Sequence, residues 1–363
     1  MKTLFLTLDY PPQFGGVASV YGAVVRHWPK EDEIKVITNE HQALVNNKLP
    51  LIKWLVSCQT LWRELKSTHY DQVLIGQVLP LGTAMWLVNF FKPTPYVVFV
   101  HGMDLGWAIK HPRKKWLVKK ILNQAKCVIS SNSVAAEMAK KLVTNPDKIF
   151  IVHPGIEPDQ YQSQPDLVKS LLQKYNLTDK KIILSYGRLV KRKGFDQIIS
   201  AMPNILAQTP DAYYVIGGSG SDEKYLKEIA AALPDNLRSH VIFLGQLTEA
   251  EKWTWLEASR LYAMPSRNIA GDYEGFGIVF IEANLAGRPV IGGNSGGVAE
   301  AVVSDLNGFL VDPEKSDEIV KAITILLQDT NYAERLGQQG RERAMQFFNW
   351  QKQVGLIYRH IIQ

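Results

Sequence analysis

The stretch Val152-His-Pro-Gly-Ile-Glu-Pro-Asp-Gln-Tyr161, written VHPGIEPDQY, decides how the rest of the chain is read. Its two prolines and one glycine interrupt any helix or interior strand that would run through it. On its N-terminal side, short β-branched runs alternate with helical patterns. The strand candidates there are 3–8, 34–38, 72–76, 96–100, 127–130 and 149–152, with helical patterns at 17–28, 54–66 and 113–123 between them. On its C-terminal side a second alternating series begins, with strand candidates at 182–186, 212–216, 241–244, 261–264, 289–291 and 308–311. Helical segments around 316–328, 331–346 and 350–362 close the chain. Continuous apolar strands of this kind suit parallel sheets covered on both faces. The class is therefore α/β, with two doubly wound domains joined near 154–160.

Length and composition agree. A chain of 363 residues is long for a single core, and 46% hydrophobic with 21% charged residues is ordinary for a soluble globular protein. The opening MKTLFLTLDYPP is interrupted by Asp9 and stopped by Pro11 and Pro12, so it reads as a first strand and not as a signal peptide. The most membrane-like segment, 79–91, is too short to span and contains Pro80, Gly82 and Asn89. The two cysteines, Cys58 and Cys127, suit a reducing compartment, and no Cys/His group has zinc spacing. The net charge of +6 is uneven: residues 1–153 carry +9 and the remainder −3, which suggests different partners for the two halves.

Three turns carry the candidate chemistry. The first, residues 9–17, places Gly15 and Gly16 between a strand and a helix, where backbone can approach a ligand and free amides can meet an anion. It is not the G-x-G-x-x-G of dinucleotide binding. The second, SYGRLVKRKGFD (185–196), sets Arg188 and Lys193 after a strand end, a fork and a point charge suited to a diphosphate. Lys191 and Arg192 beside them read equally as a solvated basic loop. In the third, DYEGFGIVFIEA (272–283), Gly275 and Gly277 turn the chain into a helix whose first amides, Gly277, Ile278 and Val279, can receive phosphate oxygens. Glu274 precedes that helix and Glu282 lies one to two turns in. An ionised carboxylate accepts hydroxyl hydrogens, as a sugar or ribose offers. The plainer reading makes Glu274 a surface turn acid and Glu282 the partner of Arg188 or Arg288.

Glu274 and Glu282 match the Glu-x7-Glu signature of retaining family 4 glycosyltransferases, which have the GT-B fold. The Gly15–Gly16 loop, VHGMDLGW (100–107), GRLVKRKG (187–194), EGFGIVFIEA (274–283) and GGNSGGVAEAV (292–302) occur in family order at family spacings. Within the family the chain most resembles GDP-mannose-dependent α-mannosyltransferases acting on phosphatidylinositol mannosides, which share the PPxxGG start and the HGxxxGW segment. The resemblance implies two Rossmann-like domains with an interdomain cleft. The first, acceptor-binding, would be 1–153 plus a C-terminal helix at about 348–363 crossing back. The second, 160–347, would bind the nucleotide sugar. It further implies that Arg188 and Lys193 clamp the donor diphosphate, Glu274 holds hydroxyls of the transferred sugar and Glu282 holds the ribose. Gly16 and the amides of Ile278 and Val279 would complete the phosphate cradle, and His101 would stand near the sugar's C6 hydroxyl and the reacting centre. The chain has no Asp-x-Asp metal motif. The expectation is therefore metal-free front-face substitution with no cofactor, cations and helix amides stabilising the leaving group.

Leu247 is placed to pack the base. Glu249 or Glu251 would accept guanine's two N–H groups, favouring GDP-mannose over UDP-glucose, unless these acids merely begin a helix at Thr248. The acceptor side rests on residues 106–122, where six Lys/Arg interleave with Trp107 and Trp116. Trp107, Arg113, Lys114 and Lys115 suit an anionic membrane surface, and Asp104 either meets the acceptor or caps the next helix. The expected acceptor is lipid-linked or a glycan, with no nucleic acid partner and a cytoplasmic, peripheral location at the inner face of the plasma membrane. Competing readings are a nucleotide-sugar 2-epimerase of the same fold and a non-catalytic nucleotide-sugar binder. A Rossmann oxidoreductase is disfavoured because GGSGSDEKYL (217–226) lacks the last fingerprint glycine.

Overall fold

The structure, a computed structural model, describes residues 1–13, 15–46 and 54–362. Chain contacts divide it into two units, one of Met1–Gly155 with the helix Trp350–Ile362, the other of Ile156–Asn349. The sequence had set these borders at 153/160 and 347/348.

In the first unit, β1 (Lys2–Leu6), β2 (Glu33–Ile37), β3 (Gln72–Ile75), β4 (Tyr96–Val100), β5 (Cys127–Ser130) and β6 (Ile149–Ile151) form one sheet in the order β2-β1-β3-β4-β5-β6. Every pairing between these strands is parallel. The two-residue period of a strand sends alternate side chains to two cores. Leu4, Leu6, Val73, Ile75, Val98 and Val100 pack on one face, Phe5, Leu74, Val97 and Phe99 on the other. The C-terminal helix belongs to the second face. Its Trp350, Val354, Ile357 and Ile361 share a cluster with Tyr21, Val24 and Trp28. Tyr358 donates to Asp32 at 2.6 Å and Lys126 to the Ile361 carbonyl at 2.7 Å, fixing the helix where it docks.

The second unit repeats the plan with β7 (Lys181–Tyr186), β8 (Ala212–Gly217), β9 (Val241–Gly245), β10 (Leu261–Met264), β11 (Val290–Gly293) and β12 (Gly308–Val311). Their order is β12-β11-β10-β7-β8-β9, again with all strand pairings parallel. After β7 the chain winds one way through β8 and β9, then returns to lay β10 on the other side of β7. The sheet therefore changes direction between β7 and β10, and loops leaving adjacent strands at such a point diverge to leave a ligand crevice. In the first unit the same reversal falls between β1 and β3.

One glycine locks the two loops at the β7/β10 junction together. Gly194, at φ 76°, joins the short turn Lys191–Lys193 to the helix Phe195–Gln208. A Cβ at this position would overlap the Pro265 carbonyl oxygen, which is rigid backbone. Strained φ and a clash with no flexible partner act together, so Gly194→Ala should destabilise the second unit by roughly 3 kcal/mol. Urea denaturation checks this; a native-like midpoint would show that the backbone there yields.

Candidate functional site

At the β7/β10 junction the turn Lys191–Lys193 folds two cations inward, Arg192 and Lys193 each only 8% exposed. Across from them, the segment after β10 returns Asp272 and Glu274. The Lys193 ammonium lies 2.8 Å from Glu274 Oε2, and the Arg192 guanidinium donates to the same oxygen at 2.6 Å while its Nε stands 3.1 Å from Asp272. Burial alone would raise the Glu274 pKa, but the charges of Lys193 and Arg192 outweigh it and bring the value down to about 2. The group is a fixed anion whose second oxygen, Oε1, has no hydrogen-bond partner among the described residues. The Gly297 amide donates to the Glu274 carbonyl at 3.0 Å, so the backbone beneath the carboxylate is held as well.

Three residues on, Gly277 takes the left-handed conformation at φ 85° and opens the helix Ile278–Leu285 with no side-chain cap. The amides of Gly277, Ile278 and Val279 find no acceptor among the described residues, leaving donors and the positive end of the helix dipole beside Glu274. Further along the same helix, Glu282 accepts from the Tyr186 hydroxyl at 2.8 Å and from Lys252 at 2.7 Å. Its partner is therefore Lys252, not Arg188 or Arg288. Arg188 is exposed, and its side chain makes no hydrogen bond or ion pair among the described residues. It shares a loop with Lys193, but the structure ties it to neither glutamate. Leu247 lies over Gly217 at the end of β8, half-buried.

The acids near Leu247 take the helix-start role that the sequence offered as the alternative to reading guanine. Glu251 is spent on the helix Glu249–Ala258, where its carboxylate and the Thr248 hydroxyl form a reciprocal capping box, and Glu249 pairs with Lys252 at 2.7 Å. Arg192 corrects the sequence reading in the opposite sense. It is not part of a solvated loop but a buried member of the Glu274 cluster.

In the first unit, His101 follows β4, and its Nε2 lies 2.7 Å from the Tyr21 hydroxyl. Tyr21 gives its one proton to the Gly76 carbonyl, so Nε2 carries the hydrogen and Nδ1 is left as an acceptor. Burial lowers the His101 pKa against the opposing charges of Asp104 and Asp9, which favours this neutral form. Asp104 accepts from the amides of Gly102 at 2.8 Å and His101 at 3.2 Å, so it braces the turn that presents the histidine. The sequence offered a helix cap instead, but Gly102 is the N-cap residue of the helix Met103–Ile109 and no side chain caps it. Gly15, at φ 148°, precedes the helix Gly16–Arg26, whose start likewise lacks a side-chain cap. Tyr21→Phe would strand the Gly76 carbonyl and His101 Nε2–H in a buried place. A loss of about 1–3 kcal/mol in urea-measured stability should follow; an unchanged value would mean the contact is not formed in solution.

Trp107 is 54% exposed, with the Lys114 ammonium 3.2 Å from its ring centre, and Arg113 and Lys115 are exposed on the helix Pro112–Gln124. Among the described residues, no group of three or more His, Cys, Asp or Glu side chains is placed to hold a metal ion.

Two family models match the chain, Glycosyltransferase Family 4 over residues 14–160 and Glycosyl transferases group 1 over residues 169–343. The chain is 27% identical over 364 residues to the GDP-mannose-dependent alpha-(1-6)-phosphatidylinositol monomannoside mannosyltransferase of Mycolicibacterium smegmatis, covering 96% of this chain and 94% of that protein. It is 26% identical to the D-inositol 3-phosphate glycosyltransferase of Jonesia denitrificans, covering 90% and 78%. Among solved structures, Anabaena HepE in complex with UDP-glucose superposes with a TM-score of 0.79 at 21% identity over 99% of each chain. A glycosyltransferase from Rickettsia africae superposes at 0.82 and 18% identity, over 100% and 98%.

Proposed function

Because the chain belongs to the family 4 glycosyltransferases of GT-B fold, which move a sugar from a nucleotide sugar, we propose that it is a retaining hexosyltransferase using GDP-mannose and a lipid- or glycan-linked hydroxyl acceptor. The observation that carries this reading is the junction of Glu274, Lys193 and Arg192 beside the open amides of Gly277, Ile278 and Val279.

Transfer breaks the bond between the anomeric carbon and the donor phosphate oxygen and forms one to the acceptor oxygen. Negative charge grows on the leaving diphosphate. The amides of Ile278 and Val279, the remaining donors of the Lys193 ammonium and the free Arg188 fork suit that charge. Lys193 needs no reorganisation because Glu274 already fixes it, whereas the exposed Arg188 fork closes on the diphosphate as it binds. On this reading the open Oε1 of Glu274 takes hydroxyl hydrogens of the sugar, and Glu282, steadied by Lys252 and Tyr186, takes those of the ribose. His101 contributes the acceptor lone pair of Nδ1 to the sugar. The cluster's other carboxylate, Asp272, meets the Arg192 Nε at 3.1 Å, and we read the transfer as front-face substitution, the donor phosphate oxygen taking the acceptor proton. Arg188 and Lys193 replace a divalent cation in this account, so chelation should leave turnover unchanged. No helix among the described residues is long and apolar enough to cross a membrane, and a peripheral position at a membrane fits a lipid-linked acceptor.

The lean towards GDP-mannose rests on the relatives named for that donor. A thermal-shift comparison of GDP, GDP-mannose, UDP and UDP-glucose tests it. GDP-mannose should raise the unfolding temperature most. A response confined to the uridine nucleotides would overturn the donor while leaving the reaction class standing, and silence from all four would count against both.

A further inference from the structure

Arg288 is a cation without a counterpart. Lys252 holds Glu282 in its place. The Arg288 side chain makes no hydrogen bond or ion pair among the described residues, and its Nε is shut off from water with no acceptor. Burial is the largest influence on the group and lowers its pKa; Glu257 and Glu334 oppose this without pairing with it. Both acids are otherwise engaged. Glu257 takes the Ser163 hydroxyl and, at 2.9 Å, the Gln164 amide, while Glu334 faces Arg260 at 3.9 Å. A guanidinium kept from water without an anion is costly.

Arg288 opens on a cavity of about 360 Å³, whose walls include Pro165, Val168, Lys169, Leu172 and Glu257. The volume lies in the range of small-molecule sites. Most of the wall comes from the helix Pro165–Lys174, which is itself incompletely packed. Its Val168, Leu171 and Leu172 form an apolar stripe at helical spacing, yet no residue of this helix is fully buried. Apolar surface and an unpaired cation therefore face the same space. The cation is also held in place. Its amide donates to the Ala283 carbonyl at 2.9 Å, and its carbonyl accepts from Asn284 at 3.0 Å. A ligand would meet a site whose backbone is already ordered. Arg288 precedes β11 as Thr178 precedes β7, so the cavity lies at the opposite ends of the strands from Glu274.

We propose that this cavity binds a small organic carboxylate with a hydrocarbon body, the carboxylate on Arg288 and the hydrocarbon against Pro165, Val168 and Leu172. The guanidinium fork matches a planar carboxylate, and exposed Lys169 adds charge of the same sign at the rim. Inorganic phosphate would set its remaining oxygens against apolar walls. An uncharged hydrocarbon would leave the guanidinium unmet. The site uses none of the residues assigned to sugar transfer and stands apart from that reading.

The test is isothermal titration of the full chain with hexanoate at constant ionic strength. Hexanoate should bind saturably at one site. Hexanol keeps the chain without the charge, and inorganic phosphate the charge without the chain. Each should bind at least tenfold more weakly. Arg288→Met should weaken hexanoate by the same factor. Without ligand, its urea midpoint should equal or exceed the parent's, because an uncompensated charge is gone. An arginine with a purely structural role would instead show a loss. Val168→Asp, on the partly exposed stripe, should repel hexanoate while the fold persists. GDP should leave the hexanoate constant unchanged. Absence of saturable binding, hexanol or phosphate binding as tightly as hexanoate, or full affinity in Arg288→Met would overturn the proposal. So would competition by GDP, which would place hexanoate in the donor site, or a destabilised Arg288→Met, which would mean that the guanidinium already has a partner in solution.

Discussion

Glu274→Gln should lower sugar transfer by about a thousandfold while nucleoside diphosphate binding survives. Glutamine keeps the shape but removes the charge that Lys193 and Arg192 enclose, so the ammonium is no longer fixed and the sugar loses an ionised acceptor. The diphosphate is itself anionic, and two cations without their carboxylate hold it at least as well. Initial rates and nucleotide titration separate the two effects, and a variant turning over like the parent would remove Glu274 from the chemistry. Stability carries a second signature. The carboxyl has a folded value of about 2 against an ordinary 4.5, a depressed value. A depressed carboxyl stabilises the fold above its unfolded value, and the contribution is lost as pH falls from about 4.5 towards 2. The urea midpoint of the parent should therefore decline through that window more steeply than that of the glutamine variant.

Lys252→Met should cost about 3–5 kcal/mol in the second unit. Lys252 is 8% exposed, and its ammonium reaches Glu282 and Glu249 at 2.7 Å each. Burial works against its charge, but Glu282 and Glu249 more than compensate, so its pKa is raised and the pair is ionic. Methionine fills a similar volume and leaves the Glu282 carboxylate, itself little exposed, with only the Tyr186 hydroxyl. Adding Glu282→Gln should recover much of the loss, because the stranded anion is then gone. Denaturation midpoints at constant slope measure both steps. If Lys252→Met alone is as stable as the parent, the two charges are not coupled.

Which parts were legible follows from what local pattern can carry. Strands such as Tyr96–Val100 and Leu261–Met264 run at the positions expected, because a strand buried on both faces must be apolar throughout. The turns at Gly194 and Gly277 were visible for the same kind of reason: each takes a left-handed conformation that suits glycine. Arg192 was not legible. A basic residue in a basic run looks solvated, and its burial depends on Asp272 and Glu274, eighty and more positions away. Lys252 and Glu282 are separated by thirty positions, so their pairing too is a product of topology. The capping box at Thr248 and Glu251 was readable from its spacing. That spacing by itself assigns Glu251 a capping role.

The C-terminal helix bears on how the protein is made. Its Trp350, Val354, Ile357 and Ile361 complete a core begun by Phe5 and Tyr21, yet the ribosome delivers them only after all of Ile156–Asn349 has emerged. The half translated first is thus the last to be sealed, and throughout elongation one side of its sheet stays open to chaperones. Chains truncated after Asn349 and released from the ribosome should carry a finished later half and an earlier half still vulnerable to protease.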